Sequence, residues 1–208
     1  MDGVFMRKII KITFTAVIAV SLFLVGVLIT DKHYLRNEVI RLRVVAASDS
    51  ERDQSIKIKV KDAVNGYLQE HLSGIERADA VRAYLEGSLE ELKYVADAVL
   101  AEEGHTLRSK VYLTAEMADK RDYATFSLPT GRYETLRIDI GTAEGENWWC
   151  VVFPSLCMPE TAEAFAETAT ASGVSAGLTR ALTGDKPVRV RFFLLDLFGR
   201  VEKFFDIS

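Results

Sequence analysis

Apolar residues are spread unevenly along this chain. From Ile12 to Ile29 it reads ITFTAVIAVSLFLVGVLI, eighteen residues without a charge, whereas beyond Asp31 apolar and polar positions alternate in short regular patterns. At roughly 1.5 Å per helical residue the uncharged run reaches about 27 Å, enough to cross the hydrocarbon of a bilayer. Arg7, Lys8 and Lys11 precede it and Asp31 and Lys32 follow it, so the positive-inside bias places the N-terminus in the cytoplasm. The run predicts an uncleaved anchor or, as the second reading, a cleaved secretory signal, although signals have shorter apolar parts and end in small residues. A buried core helix would have to be apolar on every side. The expected division is an anchor or signal over 1–30 and one extracytoplasmic domain over 31–208.

Within that domain, Ile40, Leu42, Val44 and Ala46 alternate with Arg41, Arg43 and Val45, the two-residue period of a strand with one apolar face. Ser48-Asp49-Ser50 then supplies helix-capping residues, and Asp53 three positions after Ser50 resembles a capping box with a shortened acid. Ile56, Val60, Ala63, Val64, Tyr67 and Leu68 form the apolar stripe of the following helix, with Asp53 and Lys57 expected as a pair on its wet side. A second helix is predicted from about Asp79 to Glu103, stopped by Gly104. Gly66 and Gly87 weaken the two helices by about 1 kcal/mol each relative to Ala without cancelling them. The period returns to two at Leu107–Thr114, and further strands are predicted at Tyr123–Leu128, Tyr133–Ile140, Trp148–Phe153 and Val188–Leu195, with a helix over Glu160–Ala171. Strands grouped after helices predict an α+β fold, a mixed sheet with helices mainly on one face, rather than a doubly wound parallel sheet.

The chain has 208 residues and a net charge of −4. Setting aside Asp2, Arg7, Lys8 and Lys11, a sum of +2, leaves the exported part at about −6, a sign with no general attraction for nucleic acid or anionic lipid. His33, His71 and His105 have no Cys or carboxylate at metal-ligand spacing, so no metal site is expected. No cofactor motif, nucleophile elbow, P-loop or H-E-x-x-H occurs, and enzymatic activity is not expected. Asp49, Glu51 and Asp53 lack the glycine and distal Glu of a calcium loop and read as capping residues. Arg41, Arg43, Arg137, Arg189 and Arg191 all take the polar parity of predicted strands. They form either a solvated outer face or, if continuous, a basic stripe for an acidic partner.

Cys150 and Cys157 flank Pro154 in WWCVVFPSLC. Outside the cytoplasm they are able to form a disulfide, worth about 2.5 kcal/mol in the chain-entropy model, and two buried thiols are the equal alternative. Trp148 and Trp149 point to opposite faces of one strand, leaving one ring for the core and one for the surface.

Ile40 to Asp62, IRLRVVAASDSERDQSIKIKVKD, and Asn147 to Cys157, NWWCVVFPSLC, together with YETLRIDI at Tyr133–Ile140, resemble the stage II sporulation protein R family over most of residues 38–157. The combination SDS-x-x-DQ with N-W-W-C-V-x-F-P-x-L-C is long enough to be specific. This family often has His at the position of Arg43 and Asn at that of Ala47, so no family role is carried onto either. The resemblance implies an endospore signalling protein, made in the forespore and exported into the space between the two septal membranes. There it would trigger a membrane-embedded aspartic protease, stage II sporulation protein GA, which processes the precursor of sigma factor E. It implies no enzyme. The expected recognition surface is Ser48, Asp49, Ser50, Asp53 and Gln54 with Asn147, Trp148 and Trp149, joined by Arg41 and Arg43 if the basic stripe is real. The competing readings are a membrane-tethered hydrolase using Asp49 and Asp53 as acid and base, and a structural septal protein.

Overall fold

The computed structural model describes residues 12–23, 26, 37–122, 127–153 and 189–206. Residues 12–23 are helical, with Ile12, Phe14, Leu22 and Phe23 exposed. Among the described residues no helix is long and apolar enough to cross a membrane. Most of the remaining Ile12–Ile29 run lies outside the described residues, so the span rests on the sequence.

The domain begins with β1 (Ile40–Val45), continues through helices α1 (Glu51–His71), α2 (Ala78–Gly87) and α3 (Leu89–Glu102), and then adds β2 (Ser109–Ala118). A two-stranded ribbon, β3 (Arg121–Asp122) with β4 (Ser127–Leu128), leads to β5 (Gly131–Ile140) and β6 (Asn147–Phe153), and α4 (Arg189–Asp206) follows later. The main sheet has the order β2-β5-β1-β6. Its central pair, β1 and β5, is parallel, with Leu42 opposite Leu136, while β6 and β2 flank that pair antiparallel. This is the α+β mixed sheet that the periodicity predicts.

Alternation decides what each face holds. Ile40, Leu42 and Val44 of β1, Leu136, Ile138 and Ile140 of β5, and Cys150 and Val152 of β6 point to the side where α1, α2 and α3 pack. Those helices bring Ile56, Val60, Val64 and Leu68, then Ala78, Val81 and Leu85, then Leu92, Ala96 and Leu100. α1 is capped as its sequence suggests, Ser50 Oγ accepting from the Asp53 N–H at 3.1 Å.

Two elements differ from the periodic reading. The helix expected from Asp79 is two helices, because the chain turns at Ser88, whose N–H bonds Leu85 O while its carbonyl accepts the Leu92 N–H to start α3. Gly87 therefore marks a break rather than a weak point. Of the strand expected at Val188–Leu195, the described residues 189–195 are instead the start of helix α4. The alternation of RVRF suggested a strand, whereas the helical spacing emerges only further on, at Leu197, Val201 and Phe204. Of the expected Tyr123–Leu128 strand, Ser127 and Leu128 are described as β4; the predicted Glu160–Ala171 helix lies outside the described residues.

α4 docks where β5 begins. Buried Asp196 accepts hydrogen bonds from Thr130 N–H at 3.1 Å and Thr130 Oγ1 at 2.8 Å, and Lys203 reaches Asp119 at 2.6 Å. A Cβ on Gly199 would stand 1.7 Å from Thr130 O, so glycine alone lets the helix come this close. Hydrogen bonds from Thr130 and the charge of Arg200 hold the Asp196 carboxyl below the usual range, although burial pulls most strongly the other way.

Candidate functional site

The SDS-x-x-DQ block lies at the far end of β1, where three stretches of chain are tied together. Asp49 Oδ1 accepts the Glu146 N–H at 2.7 Å and Gln54 Nε2 at 3.4 Å, and Gln54 Nε2 also donates to Ser48 O at 3.0 Å. The Ser50 N–H donates to Ser48 Oγ at 3.2 Å. The shortened acid of the capping box does not turn back on Ser50: Asp53 Oδ2 accepts from Ser48 Oγ, and Asp53 Oδ1 pairs with His105 Nε2 at 3.1 Å. The Ser48 hydroxyl holds the Asp53 carboxyl below its ordinary range; burial opposes this, and His105 and Ser50 reinforce it. Gly145 completes the knot, since a Cβ there would meet Ser48 O at 2.3 Å.

Lys57 corrects the expected wet-side pair with Asp53. It is buried, donating to Glu146 O at 3.1 Å and to Gln54 Oε1. Burial lowers its pKa, with Glu146 and Asp49 pulling the other way. Lys57, His105 and Glu146 belong to the same knot and were not among the expected site residues. The legible signal was Gln54 and Lys57 at i,i+3 beside the cap; the partner segments depend on the tertiary path.

The second face of the sheet carries the arginines of β1 and β5, but as a network in which Arg41 is buried and Arg43, Arg137 and Trp149 are half-buried. Arg41 is fully buried, its guanidinium 4.2 Å from the Trp149 ring centre and 5.2 Å from that of Tyr133. Arg43 lies 5.0 Å from the Trp149 ring centre and bonds Glu116 at 2.7 Å. Arg137 reaches the same carboxylate at 3.4 Å and Asp139 at 2.8 Å, and Tyr112 Oη donates to Asp139 at 2.8 Å. Burial pushes the Tyr112 pKa up, and its hydrogen bond to Asp139 adds to the rise. Arg41, Arg43 and Arg137 thus share a face as the alternation predicts, yet carboxylates and aromatic rings engage them. Arg189 and Arg191 leave the stripe altogether, because they stand on α4. A continuous basic stripe does not form.

The two tryptophans do part to opposite faces. Trp149 enters the arginine network, while Trp148, on the helix side of the edge strand β6, is exposed beneath Lys61 Nζ, 5.0 Å from its ring centre. Asn147 pairs with Val45 and Trp148 with Val44, which sets both beside the Ser48–Gln54 knot. Ser48, Asp49, Ser50 and Trp148 are the exposed members of this group; Arg41 is not. Cys150 is disulfide-bonded and packs in the core; Cys157 lies outside the described residues.

Among the described residues no group of three or more His, Cys, Asp or Glu side chains is placed to hold a metal ion. An acid–base pair needs one carboxyl held up near neutrality. Asp53 is held down, which gives that chemistry no support. At the opposite end of the sheet an open cleft of about 930 Å³ is lined by Asn37, Arg77, Arg82, Ala115, Arg132 and Glu134, among others, with Arg82 and Glu134 paired at 2.6 Å.

Comparison with known proteins places this geometry. The family model described as stage II sporulation protein R matches residues 36–163, a stretch that contains the whole main sheet and α1 to α3. A curated relative, stage II sporulation protein R of Bacillus subtilis (strain 168), is 34% identical over 121 residues, 58% of this chain and 54% of the relative. The chain thus spans about half the length of that relative. No solved structure matches it.

Proposed function

Because this chain belongs to the stage II sporulation protein R family, we propose that it is an exported sporulation signal. In this reading its domain lies between the septal membranes and activates the membrane-embedded aspartic protease, stage II sporulation protein GA, to process the precursor of sigma factor E. The observation that carries it is the family match across the whole sheet and its three covering helices. The uncharged Ile12–Ile29 run supports the export step, with the N-terminus in the cytoplasm and the domain outside, either anchored or released after signal cleavage. No nucleic acid or cofactor enters this reading.

The recognition surface we assign is the far end of the sheet, the Ser48–Ser50 junction with Trp148. These groups are exposed, and the knot beneath them holds them rigid before any partner arrives. Pre-organisation of this kind lowers the ordering cost of binding. Activation further requires that the domain bind the active arrangement of the protease more tightly than the inactive one, since only differential affinity moves such an equilibrium.

The test is reconstitution of the full chain with the protease and the sigma-factor precursor in vesicles. Processing that appears only when the chain is added is the expected result. Unchanged processing, or cleavage by the chain without the protease, rejects the role. Trp148→Ala should lower processing about tenfold while leaving the unfolding midpoint nearly unchanged, as truncation of an exposed aromatic anchor does. A loss that merely tracks lost stability would remove Trp148 from the contact.

A further inference from the structure

Helix α4 presents two faces. Asp196, Gly199 and Lys203 turn toward Thr130 and Asp119. On the opposite side Leu197 is 45% exposed, Val201 48%, and Phe204 and Phe205 each 71%. Their spacing of four, three and one places all four side chains on one stripe of the helix. Arg200 stands beside the stripe with two-thirds of its side chain in solvent, paired with Asp196 at 2.9 Å.

Where α4 sits decides what this stripe meets. β1 and β5 are parallel, with Ile40 opposite Glu134, and Ala118 of β2 lies opposite Gly131. The end of the sheet at which the chain arrives from its N-terminal segment is therefore the end at which α4 is docked on Thr130. Only residues 30–36 separate the uncharged run from Asn37, and fully extended they reach roughly 25 Å. With Ile12–Ile29 in a bilayer, the arrival end of the sheet is held close to the lipid surface, and the far end carrying Ser48–Ser50 and Trp148 is turned away from it.

We propose that the Leu197–Val201–Phe204–Phe205 stripe of α4 rests in the interface of the membrane that anchors the chain, as a second contact that orients the domain. The inference rests on the anchor reading of the N-terminal run. Four apolar side chains on a short helix bind lipid weakly and reversibly by themselves. The tether supplies the missing affinity, because a short linker gives the helix a local concentration near millimolar at the surface. The stripe itself carries no charge, and Arg200 borders it on one side and Glu202 on the other.

The probe is tryptophan on the stripe in the full chain, Phe205→Trp and separately Leu197→Trp, reconstituted in vesicles of phosphatidylcholine and phosphatidylglycerol with brominated acyl chains. Both positions are exposed, so the variants should fold as the parent does. The added emission of each should fall by about half relative to unbrominated vesicles, while the parent emission from Trp148 and Trp149 changes little. Extraction at alkaline pH reads the anchor independently. If the chain resists extraction and neither probe is quenched, the α4 contact is wrong and the anchor stands. If the chain is extracted at alkaline pH, the anchor reading fails and the tethered α4 contact fails with it, even where the probes are quenched at neutral pH. Quenching that requires the protease, or protection of both probes by pairing of two copies in unbrominated vesicles, overturns the lipid assignment.

Discussion

The two faces of the same four strands are built on opposite principles. Toward α1, α2 and α3 the alternate residues are Leu, Ile and Val, and the contact is area removed from water. Toward the other side they are Arg41, Arg43, Arg137, Tyr133 and Trp149, and the contacts are guanidinium groups over aromatic rings and aimed hydrogen bonds. Apolar packing tolerates any side chain of similar volume, whereas a guanidinium held between rings has one geometry. The first face thus supplies bulk stability, and the second fixes how β1, β5 and β6 lie against one another.

Substitutions separate the two. Leu136→Ala should cost the most, about 4 kcal/mol in urea unfolding, because a fully buried side chain leaves a cavity between sheet and helices. Arg41→Lys should cost about 2–3 kcal/mol although charge is conserved, since a compact ammonium cannot reach both the Trp149 and Tyr133 rings as the broad guanidinium does. A loss below that of an ordinary surface substitution would show that the second face does not depend on direction. Glu116→Gln should cost about 1–2 kcal/mol by weakening the charge-assisted bonds from Arg43 and Arg137. Leu136→Met should cost under about 1.5 kcal/mol. The contrast between that swap and Arg41→Lys is the sharpest test, because both are conservative by ordinary standards.

Acid probes the rim between the layers. Burial opposes ionisation of Asp97, but bonds from Lys93 and from the backbone and hydroxyl of Ser109 hold its carboxyl below the usual aspartate range. A carboxyl whose folded pKa is depressed contributes stability that is fully present above the unfolded value and is lost as pH falls through the folded one. The unfolding free energy should therefore decline as pH drops below about 4, and Asp97→Asn should flatten that decline. Asp53, lowered by Ser48 and His105, adds to the same slope.

Local chemistry was legible in the sequence and pairing was not. The period of β1, the stripe of α1 and the Ser50 cap depend on neighbours within a turn or two, and all three appear as read. That Arg41 is interior follows only when β6 lies beside β1 and sets Trp149 on the same face. The alternation of Arg41, Arg43 and Arg137 correctly gave a shared face, but the solvated face or open basic stripe expected there gives way to ion pairs and ring contacts. Likewise, Asp53 reads as a capping acid until α3 delivers His105 to it. The segment at Arg189 failed for a different reason: its first residues fit both periods, and docking on Thr130 selects the helix.

The parallel pairing of β1 with β5 has a consequence for the order in which the sheet closes. The strand at the centre of the sheet is made early, yet both its neighbours come from far later in the chain, Leu136 on one side and Cys150 on the other. As the chain is made from N to C, β1 has no strand beside it until β5 is complete at Ile140, and its other edge stays open until β6 ends at Phe153, with only α1 to α3 available to shield its apolar side. Such non-local closure is slow. A chain cut short before Phe153 therefore keeps its three helices and two central strands but leaves one edge of the central strand without a partner.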